Sequence, residues 1–209
     1  MACHPIDLQT EQGITGRSYL EPYIVKSMRY LVPALQDFGD MLKGHRLAPV
    51  ELFEAARKSL HFVGYEGLSM IAASGLDMAA WDALAKAANQ PLCVLLGGTV
   101  GSVKSYNSNG LWLKSPEAVA AEAIELRDEG GFTGLKLRLG RERIADDLAT
   151  LDAVRKAVGE GIHLMVDFNQ GLILAEALER CHMIDDHGLA WIEEPIVYDN
   201  LDGHAGRWH

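Results

Sequence analysis

Residues 134–195 read GLKLRLGRERIADDLATLDAVRKAVGEGIHLMVDFNQGLILAEALERCHMIDDHGLAWIEEP. The hydrophobic spacing changes period along this stretch. GLKLRLG (134–140), IHLMVDFNQ (162–170) and LAWIEEP (189–195) are short apolar runs that read as strands. RIADDLATLDAVRKAVG (143–159) and LILAEALERCHMIDDHG (172–188) carry apolar residues at helical spacing. Working upstream, PEAVAAEAIELRDEGG (116–131) reads as a helix opened by Ser115 and Pro116 and closed by glycine, and VKSYNSN (103–109) as a strand before it. Strands alternating with helices in units of about 25–30 residues indicate βα units and a parallel sheet.

The unit length suits a (β/α)₈ barrel or an open doubly wound sheet. A full barrel takes about 250 residues, whereas 107 of the 209 follow position 102. Four strands and three helices fit, which is half a TIM-type barrel.

The first hundred residues have a different rhythm. Residues 5–20 alternate apolar and polar around Glu11-Gln12-Gly13, as a β-hairpin should. Helical spacing then covers 21–44, with Pro33 expected to kink or divide the helix, and 49–62, with Pro49 in the first turn. A third helix fits 66–88, with Leu68, Ile71, Leu76 and Ala79 on one face and Asn89-Gln90-Pro91 as its stop.

Composition narrows the function. Lys and Arg total 19 against 29 Asp and Glu, a formal charge of −10. An acidic surface of that size repels phosphates and disfavours nucleic acid. Cys3, Cys93 and Cys181 are an odd number in no CxxC pair, so neither a disulfide framework nor a zinc motif follows. The N-terminus lacks a basic start with an apolar core, and the apolar run Leu92–Leu96 is far too short for a bilayer. The expectation is a soluble, cytoplasmic protein without a membrane or nucleic-acid partner.

In parallel α/β architectures, chemistry collects at the C-terminal ends of strands. There the second strand carries Lys136 and Arg138, two apart and on one side, and the third ends in Asp167-Phe168-Asn169. The fourth ends in Glu193-Glu194-Pro195, and the first near Asn107, Ser108 and Asn109. Carboxylates on neighbouring strands suit a hard cation such as Mg²⁺.

LKLRLG, VDFNQ and WIEEP, in this order and spacing, resemble the mandelate racemase and muconate lactonizing enzyme branch of the enolase superfamily. SGLDMAAWDALAKAANQPLCVLLGG (74–98) is similar to the family segment leading from capping domain to barrel, and the resemblance runs from about Ile6 to about Gly203. It implies a partial α+β capping domain over 1–98 and the N-terminal half of a modified barrel over 99–209. It also implies Mg²⁺-dependent abstraction of the proton α to a carboxylate through an enediolate. The outcome is racemisation or dehydration of a 2-hydroxy acid or sugar acid, with a small-molecule carboxylate as partner and a homo-oligomeric assembly.

By position, the resemblance makes Asp167 and Glu193 metal ligands and Lys136 the lysine that contacts the substrate carboxylate. Ser108, Asn169 and Glu194 match substrate-facing positions. Arg138 stands where the racemase has its second lysine, the base for one enantiomer. A group that stays protonated suits holding an anion better than taking a proton, and so favours a dehydratase over a two-base racemase. The family's third metal ligand and its histidine–aspartate pair come from strands beyond those present here. The alternative is therefore a truncated, catalytically inactive fragment of such an enzyme. A flavodoxin-like binding module ranks last, because no glycine-rich phosphate loop follows the first strand.

Bland readings compete throughout. Lys136 and Arg138 could be solvated cations, Asp167 a helix cap, and Glu193 and Glu194 an exposed strand end. The cluster Cys181, His182, Asp185, Asp186 and His187 lies at a helix end and reads as a solvated face. His204 and His209 sit in a glycine-containing tail expected to be disordered.

Overall fold

The structure, a computed structural model, describes residues 4–205; Cys3 and His209 lie outside them. The chain forms two units, residues 1–102 and 103–209.

In the first unit, β1 (His4–Gln9) and β2 (Thr15–Leu20) form the expected antiparallel hairpin, with Ile6 opposite Ser18. Its turn is held by Thr10 and Ile14, and Gly13 takes φ 80°. Three helices follow: α1 (Met28–Leu42), α2 (Pro49–Ser59) and α3 (Leu68–Ala87), with a short α4 (Leu92–Leu95) after them. Pro33 does not divide α1. It occupies the sixth helical position, and a 3₁₀ turn at Val25–Ser27 precedes the helix.

The buried face of α3 differs from the expected one. Leu68 and Ile71 are exposed, whereas Ala72, Ala73, Leu76, Ala79, Ala80 and Ala83 are buried. Small side chains win because the hairpin lies directly on the helix. A Cβ on Gly16 would fall 2.0 Å from the Ala79 carbonyl oxygen, and one on Gly75 would fall 2.6 Å from Ile6 Cδ1. The other side of α3 shares an apolar core with Leu31, Phe38 and Leu42 of α1 and Leu52 and Ala56 of α2.

In the second unit, α5 (Pro116–Gly130) begins at Ser115, whose hydroxyl accepts from the Ala118 N–H, and ends at Gly131 in the left-handed region. Then come β3 (Gly134–Arg138), α6 (Ile144–Val158), β4 (His163–Asp167), α7 (Leu174–Ile184), a 3₁₀ turn at Asp185–His187, and β5 (Leu189–Glu193). The three strands pair in parallel in the order β3-β4-β5, and the register sets Arg138 beside Asp167 and Asp167 beside Glu193.

Of the four expected strands, the first is reduced to one residue. Asn107 alone bridges to Leu135 in parallel. Its side chain accepts from the Asn109 N–H at 3.0 Å and donates to the Leu126 carbonyl of α5 at 3.1 Å. An Asx-type turn thus bends the chain where a strand would continue. The expected loose tail is also corrected in part: Leu201–Ala205 form a short helix, α8, with the His204 ring nitrogen 3.2 Å from the Val197 carbonyl oxygen.

Alternation along the strands separates two faces. Leu135 and Leu137 of β3 with Leu139 just after it, and Leu164 and Val166 of β4 with Phe168 just after it, enter a core with Val119 and Ala123 of α5, Leu151 and Val154 of α6, and Ile184 of α7. Fully buried leucines such as Leu135 and Leu137 contribute on the order of 2 kcal/mol each. The intervening residues, Lys136, Arg138, Met165, Asp167, Trp191 and Glu193, fall on the other face. Gly134 begins that row, and a Cβ there would crowd the Tyr106 Cβ at 3.0 Å.

Candidate active site

Three of the seven candidate residues converge. The Lys136 ammonium lies 3.1 Å from Asp167 Oδ2 and 3.0 Å from Glu193 Oε1, so one cation on β3 bridges two carboxylates on β4 and β5. Lys136 and Asp167 are buried, with 9% and 3% of their side chains exposed, whereas Glu193 is half-buried. Burial pulls the lysine pKa down. Its bonds to Glu193 and Asp167 outweigh that and hold it above the ordinary value.

Every oxygen of this pair has a donor. Asp167 Oδ1 accepts from the Asn169 N–H at 2.8 Å, and Glu193 Oε2 from the Trp191 indole N–H at 3.2 Å. Trp191 in turn packs edge-on against Tyr106, ring centroids 5.2 Å apart. Trp191 and Tyr106 are site neighbours the sequence reading passed over. The available signal was parity: Trp191 precedes Glu193 by two residues on a strand, so both must face the same way.

The backbone around the carboxylates is strained. Asn169, Gln170 and Glu194 take φ of 48°, 61° and 43°. Asparagine adopts that region readily, but Gln170 and Glu194 each cost about 1 kcal/mol or more there. Bonds from the Phe168 N–H to the Glu193 carbonyl and from the Gln170 N–H to the Glu194 carbonyl, 3.0 and 2.7 Å, hold the two turns together.

Arg138 does not join the carboxylates. Its Nη1 donates to the carbonyl oxygens of Ser108, Gly110 and Lys136 at 2.7, 3.2 and 3.3 Å, and its guanidinium lies 4.9 Å from the Trp112 ring centroid. Its Nε is buried without a hydrogen-bond partner. Ser108 therefore meets Arg138 through its backbone. Asn169 and Glu194 are exposed at the strand ends.

A buried network adjoins this rim. Asp147 of α6, fully buried, accepts from the Gly140 and Arg141 N–H groups and pairs with Arg141 and Arg180, each at 3.1 Å. It pins the chain leaving β3 just beyond Arg138. The cluster around Cys181 holds no such centre: Cys181 is buried while His182, Asp185 and Asp186 are exposed. Among the described residues, no group of three or more His, Cys, Asp or Glu is placed to hold a metal ion. Asp167 and Glu193 offer two hard oxygen ligands, a donor set that fits Mg²⁺ if water and substrate complete it. Among the described residues, no helix is long and apolar enough to cross a membrane.

A hairpin with helices, followed by a parallel βα sheet bearing acidic strand ends, is an α/β arrangement consistent with a capping domain and part of a barrel. Residues 4–97 match the mandelate racemase / muconate lactonizing enzyme N-terminal domain, and residues 118–206 match the enolase C-terminal domain-like family. The chain belongs to the mandelate racemase and muconate lactonizing enzyme branch of the enolase superfamily.

An enolase structure from alpha proteobacterium bal199 with bound Mg is 67% identical, with TM-score 0.90, covering 95% of this chain and 56% of that one. A Bradyrhizobium enolase complexed with magnesium and mandelic acid is 39% identical, with TM-score 0.87, covering 95% of this chain and 55% of that one. L-talarate/galactarate dehydratase of Salmonella typhimurium is 38% identical over 143 residues, 68% of this chain and 36% of that protein. The chain thus spans about a third to just over half the length of these relatives.

Proposed function

We propose that Asp167 and Glu193 are two protein ligands of a Mg²⁺ ion in an enzyme that removes the proton α to a carboxylate. The observation that carries this reading is the cluster of Asp167 and Glu193, at the C-terminal ends of β4 and β5, with Lys136 from the middle of the adjacent parallel β3. Magnesium-bound structures of similar chains support it. When bound, Mg²⁺ supplies the positive charge that stabilises the enediolate formed as the α-proton leaves.

The chain's own residues divide the remaining work. Lys136 brings an ammonium next to the metal ligands, where it attracts a substrate carboxylate. Asn169 and Glu194, exposed on the strained turns, present polar groups to the rest of the substrate. The Ser108 carbonyl holds Arg138, and Arg138 in turn orders residues 108–112 at the rim.

Sugar-acid dehydration is favoured over two-base racemisation. Arginine stays protonated, and this guanidinium is occupied by three carbonyls and an indole. It is therefore unfit to take a proton from one face of the α-carbon. The similar dehydratases act on sugar acids, L-talarate, galactarate and arabinonate among them by name. A 2-hydroxy acid of that kind is the substrate class proposed here.

The test is NMR of α-proton exchange in D₂O with Mg²⁺ and a panel of 2-hydroxy acids and sugar acids. Deuterium incorporation or a 2-keto product, lost with EDTA and with Asp167→Asn, supports the reading. A folded chain that gives neither, at any Mg²⁺ concentration, supports the inactive-fragment alternative for this polypeptide.

A further inference from the structure

We propose that Lys136 is a built-in stand-in for the metal. In the metal-free protein its ammonium occupies the charge position between Asp167 and Glu193, and it gives up both contacts when the divalent ion binds. This rests on the reading of those two carboxylates as metal ligands and adds a role for the lysine that precedes substrate.

The argument begins with the cost of the site itself. Two carboxylates from neighbouring strands are held together, one of them with 3% of its side chain exposed. Unpaired, they would repel each other, with Asp167 cut off from the water that reaches the half-buried Glu193. Lys136 removes that repulsion by reaching both, at 3.1 and 3.0 Å. The oxygens it takes are Asp167 Oδ2 and Glu193 Oε1. Their other oxygens are committed to the Asn169 N–H and the Trp191 indole. The oxygens that no other group donates to, and so the most open to an incoming ion, are those the lysine holds.

A cation placed between those two oxygens would sit within a few ångströms of the ammonium, and like charges that close cannot share the position. Lysine suits an exchange of this kind. Its ammonium is a compact point charge on a flexible stem, free of the planar fork that locks arginine to carboxylates. Once displaced, it stays tethered at the site, available to a substrate carboxylate. Metal binding would thereby arm the anion-binding lysine, an ordered sequence of metal first and acid second.

The experiment measures Mn²⁺ binding by electron paramagnetic resonance and thermal unfolding with and without Mg²⁺. The proteins are wild type, Lys136→Met, Lys136→Arg and Asp167→Asn. Lys136→Met should bind Mn²⁺ roughly tenfold tighter, because a competing unit charge is gone. It should melt lower than wild type without metal and recover with Mg²⁺. Lys136→Arg should keep the metal-free stability and bind no tighter than wild type.

Should Lys136→Met fail to fold without metal, amine acetylation of wild type followed by peptide mass spectrometry decides. Faster modification of Lys136 with Mg²⁺ supports displacement, and protection overturns it. Weaker or unchanged Mn²⁺ binding by Lys136→Met, with wild type binding and Asp167→Asn not, overturns the stand-in role alone. If neither wild type nor Lys136→Met binds Mn²⁺, the metal-site reading falls with it.

Discussion

Asp147 and Arg180, 33 residues apart, meet in a buried ion pair at 3.1 Å that joins α6 to α7. Arg180 also donates to the carbonyls of Arg141 and Glu142 at 2.6 and 3.0 Å, so two helices are tied to the segment that leaves β3. The carboxylate has no exposed surface, and its stability depends on these donors. Asp147→Ala leaves two guanidinium groups and two backbone N–H groups without their acceptor. It should cost about 3–5 kcal/mol in denaturant unfolding. A loss below about 1 kcal/mol would show that water replaces the carboxylate without penalty.

The contact between hairpin and helix makes a second prediction. Gly16 lies so close to α3 that an added methyl would overlap the Ala79 carbonyl, at 2.0 Å, and Ala83 Cβ, at 2.7 Å. Backbone cannot give way as a flexible side chain can. Gly16→Ala should destabilise the first unit by roughly 1–3 kcal/mol. Hydrogen exchange should then show faster opening of β1 and β2 than in wild type, while β3 and β4 keep their protection.

Periodicity made most of this fold legible, because one buried face per element leaves a regular trace. Helix α5 could be placed from Ser115 to Gly131 because its capping residues mark its ends chemically. The failures have a common cause in contacts distant in sequence. Leu68 and Ile71 have the spacing of a core face, yet alanines were buried because the hairpin needs close approach. VKSYNSN has strand composition, yet the Asn107 side chain turns the chain after one pairing. The acidic strand ends could be read from the motifs. Nothing in local sequence marks Asp147 and Arg180 as partners, and Trp191 was hidden by its resemblance to an ordinary strand aromatic.

Arg138 supports a third prediction, since its removal frees residues 108–112. Leu111 there is fully buried with φ 52°, a conformation costly for a branched side chain, and its carbonyl accepts from the Arg138 N–H at 3.0 Å. Arg138→Ala should cost about 2 kcal/mol through the lost charge-assisted bonds. It should also open the segment to limited proteolysis between 108 and 113. Arg138→Lys should recover only part of this, because an ammonium cannot stack on Trp112 as the guanidinium plane does. Equal protease resistance in all three proteins would remove the clamp from the account.

Cys181 provides a fourth prediction. Burial first, and the nearby Asp185 charge second, push its thiol from 9.0 up to about 11. Only the thiolate reacts readily, so at pH 8 iodoacetamide should modify the exposed Cys93 while Cys181 stays intact until the protein unfolds. The same shift makes stability fall with alkali. Below about pH 9 the thiol is protonated in both states. Between 9 and about 11 the unfolded chain releases its proton while the folded chain keeps it, so each step upward favours unfolding. Cys181→Ala should flatten the part of the stability–pH curve between 9 and 11 that belongs to this thiol. Rapid labelling of Cys181 at pH 8 in the folded protein, or an unchanged curve in the variant, would show that the thiol titrates as an exposed one.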